Sequence, residues 1–104
     1  MLEEIFFESE YKDLELKLKK LYIKNKKRQL KEGVLDFDSN LELNELFDEA
    51  IFRLGAAKRA LGFANKLRTP QERRTHKSRI ISAMNRLRNF IRIIEIRMTE
   101  SDSV

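Results

Sequence analysis

Apolar residues fall along this chain in three long stretches, each with steps that alternate between four and three. Phe7, Tyr11, Leu14, Leu18 and Leu21 predict a helix over residues 2–31. Leu43, Phe47, Ala50, Leu54, Ala57, Leu61 and Ala64 predict a second over 40–67. Ile80, Met84, Leu87, Ile91, Ile94 and Met98 predict a third over 70–98. Steps of four and three keep side chains on one face of a helix with 3.6 residues per turn, so each stretch reads as a helix with a buried seam.

The punctuation agrees with the periodicity. Gly33 is a natural helix stop, and Val34-Leu35-Asp36-Phe37 reads as a short connector tucked onto the bundle. Asp38, Ser39 and Asn40 are candidate caps for the second helix, with Glu42 placed to complete a capping box from Ser39. The sharpest break is Thr69-Pro70: Thr69 reads as an N-cap, Pro70 as the first helical position and Glu72 as the acid of a capping box. Proline also disfavours the α conformation at Thr69, so the preceding helix must stop there. The expected fold is all-α: three long helices in one domain over residues 1–99, with a polar tail at 100–104 that frays. The second and third helices form an antiparallel hairpin joined at Thr69-Pro70.

Further apolar positions lie off these seams. Leu16, Ile23 and Leu30 recur at intervals of seven on the first helix, and Phe52, Ala56, Phe63 and Leu67 lie opposite the main seam of the second. Phe90, Ile93 and Ile96 widen the apolar surface of the third. Two opposed stripes predict a helix sandwiched between neighbours, and a three-helix unit leaves such a stripe uncovered. A homodimer is therefore expected, with Phe52, Phe63, Leu87, Phe90, Ile91 and Ile94 as its self-association residues. Gly55 and Gly62 thin the second helix, which predicts close approach by another backbone.

Composition narrows the class. The chain has 104 residues, 38% of them charged and 41% hydrophobic, with three glycines and one proline. That suits one helical domain rather than a disordered chain. With no cysteine there is neither a disulfide framework nor a thiolate metal site. Met1 to Phe7 carries acids where a secretory signal would be basic, and apolar runs are short, so a soluble cytoplasmic protein without membrane association is expected.

The formal charge is +5, and its arrangement matters more than its sum. In an up-down-up bundle the acidic start of the second helix (Glu42, Glu45, Asp48, Glu49) lies beside Arg88, Arg92 and Arg97 of the third, and these quench one another. Next to Lys58 and Arg59, the hairpin tip gathers Lys66, Arg68, Arg73, Arg74, Lys77 and Arg79, with Arg86 further along. These are the candidate residues for binding nucleic acid or an acidic protein surface, because forked arginine donors beside a helix N-terminus suit phosphates. Either such a partner or the chain's own Glu3, Glu4, Glu8 and Glu10 is expected to neutralise them. Lys24, Lys26, Lys27 and Arg28 form a secondary basic patch that equally suits a solvated helix end matched to its dipole.

Catalytic chemistry is not signalled. His76, the only histidine, stands among Arg73, Arg74 and Lys77 with no orienting acid nearby in sequence. The Glu-x-x-His pairs of a carboxylate-bridged metal site are missing, as are phosphate loops and nucleophile elbows. No cofactor, metal or enzymatic activity is expected. The leading expectation is a small basic nucleic-acid-associated regulatory or accessory protein. The alternative is a protein–protein module: an adaptor, an assembly subunit or an inhibitor of the kind phages and mobile elements encode.

Overall fold

The protein is three long helices laid side by side. The structure, a computed structural model, describes residues 2–32, 37–64 and 66–102, with side chains described for 7–30, 41–64 and 66–99. Helix α1 spans Leu2–Glu32, α2 spans Phe37–Ala64 and α3 spans Pro70–Asp102. The molecule measures 55 × 20 × 19 Å. The 33 residues of α3 account for about 50 Å of that length at 1.5 Å per residue.

The three predicted seams meet in one core. Leu14 and Leu18 of α1, Leu43, Phe47, Ala50 and Ala57 of α2, and six residues of α3 from Ile80 to Met98 are buried together. The α2–α3 hairpin is the most extensive packing in the chain, as two long helices joined by a short turn require. Helix α1 covers one side of it. The Tyr22 ring meets Phe47 of α2 edge-on at 5.6 Å, and Lys17 pairs with Glu95 of α3 at 2.7 Å.

Several boundaries differ from the sequence expectation. Helix α2 begins at Phe37, so Asp38, Ser39 and Asn40 lie inside its first turn rather than capping it; the expected stop at Gly33 and residues 34–36 of the expected connector lie outside the described residues. It ends at Ala64, three residues early, because a reversal between two antiparallel helices needs non-helical backbone before Thr69. The expected fraying tail is helical as far as Asp102. No proline or glycine interrupts that stretch, and Thr99 donates its hydroxyl to the Glu95 carbonyl at 2.8 Å within the helix.

The glycines also behave differently. A Cβ on Gly62 would meet nothing within 4 Å, and one on Gly55 would meet only the Arg59 side chain of its own helix, at 3.6 Å. Among the described residues, no second helix packs where either Cβ would stand.

Candidate functional site

Residues 66–74 carry the described part of the turn, and local chemistry shapes it. Helix α2 closes with Lys66 N–H donating to the Phe63 carbonyl at 2.9 Å and Leu67 N–H to the Ala64 carbonyl at 3.3 Å. These three-residue spans tighten the helix end and satisfy two of its last carbonyls. Helix α3 opens with Thr69 as N-cap: its Oγ1 accepts from Glu72 N–H at 3.1 Å, while its carbonyl accepts the first helical bond from Arg73 N–H at 3.1 Å. The Glu72 carboxylate reaches back to Arg68 N–H at 3.4 Å, one residue before the position a standard capping box would satisfy.

This turn projects its cations into solvent. Gln71, Glu72, Arg73, Arg74 and Thr75 are all exposed. Five successive residues sweep more than one helical turn, so the first turn of α3 meets solvent around its circumference. Lys66, Arg68 and Arg79 are exposed too, as is Arg86 two turns further along; Lys77 is half-buried and engaged in contacts of its own. Among the described residues, no carboxylate pairs with the side chains of Lys66, Arg68, Arg73, Arg74, Arg79 or Arg86. The Arg73 guanidinium folds back to the Leu67 carbonyl at 3.5 Å.

Elsewhere some cations are matched, while others, Arg92 of the expected quenching set among them, meet no carboxylate among the described residues. Arg97 pairs with Glu42 at 3.1 Å, as the charge pattern predicts, and Arg53 pairs with Glu49 at 3.2 Å. Arg88 departs from that pattern: its partner is Glu10 of α1, not the start of α2. Glu10 is therefore engaged well along α3 rather than at the tip. Glu8 lines a shallow depression with Tyr11, Lys58 and Leu61. The side chains of Glu3 and Glu4 lie outside the described residues. Tyr11, which donates its phenol to Glu15 at 3.2 Å, has its pKa raised above the usual value by burial and then by the Glu15 charge.

Beside the turn, between the end of α2 and the start of α3, lies an open groove of about 900 Å³. Phe63, Lys66 and Leu67, at and just after the end of α2, line it together with Thr75 and Arg79 of α3. His76 lines it as well and is only 7% exposed. Its Nε2 lies 2.5 Å from the Ala60 carbonyl, which can only accept, so Nε2 carries the proton. Its Nδ1 is buried without a hydrogen-bond partner. The Phe63 ring leans on the imidazole, with centroids 5.2 Å apart.

The remaining expected site residues divide. Leu87, Ile91 and Ile94, read as self-association residues, are completely buried inside the single chain, because α2 and α1 together cover that seam. Phe52 and Phe63 do lie on the surface, 59% and 49% exposed, and Phe90 is half-buried. Arg53 lies over the rings of both Phe52 and Phe90, at 5.6 and 5.9 Å from their centroids. In the secondary patch, Lys24, Lys26 and Lys27 are exposed and Arg28 is half-buried; Lys26 sits over the Tyr22 ring at 5.4 Å.

Two polar residues escaped the sequence reading. Asn25, set inside the Lys24–Arg28 run, is only 1% exposed, and neither end of its amide has a partner. His76 is the other. Each occupies the next step of a seam: Asn25 follows Leu21 by four, and His76 precedes Ile80 by four. Seam position was the available signal, but polar identity obscured it.

Among the described residues, no group of histidines and acids could hold a metal ion, and no helix is long and apolar enough to cross a membrane. No family model, curated protein or solved structure matches this chain.

Proposed function

We propose that this is a non-catalytic, nucleic-acid-associated regulatory or accessory protein that binds phosphates through the hairpin tip. The observation that carries this reading is the crowding of unpaired cations on one turn: Lys66, Arg68, Arg73, Arg74 and Arg79 are close together in the chain, and none meets a carboxylate among the described residues. Unmatched like charges held together on a short turn repel one another, and a polyanion relieves that repulsion. The exposed start of α3 adds a favourable helix dipole.

The test is salt dependence. Affinity for mixed-sequence DNA or RNA should fall steeply as salt rises, and Arg73→Ala with Arg74→Ala should reduce the logarithmic slope by about two. Absence of binding at low salt would remove this reading.

A second reading rests on the exposed apolar side chains Phe52, Ile93 and Ile96. It makes the chain a protein–protein module that self-associates, or that docks an acidic protein surface on its basic tip. Pull-down with and without nuclease separates the two readings: a defined partner retained after nuclease and at high salt supports the second. Sedimentation as a monomer at micromolar concentration would exclude the homodimer.

A further inference from the structure

Resting on the phosphate-binding reading of the tip, we infer that the groove beside the turn takes one unpaired nucleotide of a single strand. Its base would lie on Phe63, with its phosphate between Lys66 and Arg79. At about 900 Å³ the groove falls within the size range of ligand clefts.

Two features together select this occupant. Phe63 is held by His76 yet remains about half open to solvent. An aromatic ring fixed at the surface offers a flat stacking partner that any base can use. Lys66 and Arg79 both line the groove, are exposed and have no carboxylate partner among the described residues. A fixed ring alone would suit any apolar body, and two cations alone would suit any anion. Together they select a flat body that carries a negative charge.

The same features exclude a duplex from the groove. Bases inside a duplex are stacked on one another and cannot present a face to Phe63 without being extruded. Glu72 is the one acid on the groove wall, and its carboxylate already accepts from Arg68 N–H. It repels phosphate and so favours a position between Lys66 and Arg79, away from Glu72. Arg73 and Arg74, on the exposed first turn of α3, would take the neighbouring phosphates of the strand.

The experiment compares fluorescence anisotropy of a labelled mixed-sequence DNA strand with that of its duplex, at low salt. The full chain is tested alongside Phe63→Ala, Phe63→Tyr and Arg79→Gln, with circular dichroism confirming that each folds. The strand should bind more tightly than the duplex. Phe63→Ala should weaken strand binding roughly tenfold, the size of one base–aromatic stack, with little effect on duplex. Phe63→Tyr should retain the preference, and Arg79→Gln should weaken the strand more than the duplex. Equal binding of strand and duplex, or a Phe63→Ala variant that binds the strand normally, would overturn the nucleotide site while leaving phosphate binding by the tip intact. No binding of either form would remove both. Displacement of the labelled strand by poly-glutamate as readily as by unlabelled strand would make the groove a carboxylate site and overturn the proposal.

Discussion

His76 Nε2 donates to the Ala60 carbonyl across 2.5 Å and sixteen residues of chain. This bond ties the first turns of α3 to the last turns of α2, next to the reversal. His76→Ala removes the bond and leaves a void beside Phe63. It should lower stability by about 1–3 kcal/mol in urea unfolding, combining a lost hydrogen bond with a partly filled cavity. A variant as stable as the parent would mean the bond contributes nothing to hairpin closure.

Asn25 presents the opposite case. Its amide is buried with both polar ends unpartnered, and each such group costs free energy on leaving water. Asn25→Leu should therefore raise stability by about 1–3 kcal/mol. The native asparagine would then serve specificity, as a single polar residue in a helical seam disfavours slipped alignments. If Asn25→Leu is destabilising, the amide has partners in solution.

Gly62 has open space where a Cβ would stand. Gly62→Ala should stabilise α2 by roughly 1 kcal/mol, through helix propensity and a less flexible unfolded chain. Thermal unfolding would register this as a rise in Tm of about 4–8 °C. A fall in Tm would indicate that another molecule packs against Gly62, which would favour self-association at that face.

Tyr11 supplies a pH dependence. Burial and the Glu15 carboxylate raise its folded pKa above the usual value of 10.0, so the fold prefers the neutral phenol. Its contribution is fully present below pH 10 and is lost as pH rises through the higher folded value. Tyr11→Phe should flatten the alkaline fall in stability. An identical alkaline profile for Tyr11→Phe would assign that fall to other groups.

The sequence by itself determined the three helices, their order and the break at Thr69-Pro70. Those features depend on local signals: a four–three rhythm, a capping threonine and a proline each act within a few residues. The basic tip was legible for the same reason, since Lys66 to Arg79 are close in sequence and their clustering needs no packing partner. Tertiary structure alone decided which stripes and which polar groups went inside. The seam of α3 closed over Leu87, Ile91 and Ile94 within one chain, while Leu30 of α1 was left 87% exposed. Arg88 took Glu10 from α1 rather than an acid of α2. Asn25 and His76 were buried because neighbouring helices cover their seam positions. Burial is set by what lies opposite a residue, and a polar side chain in the linear sequence carries no record of its future neighbours.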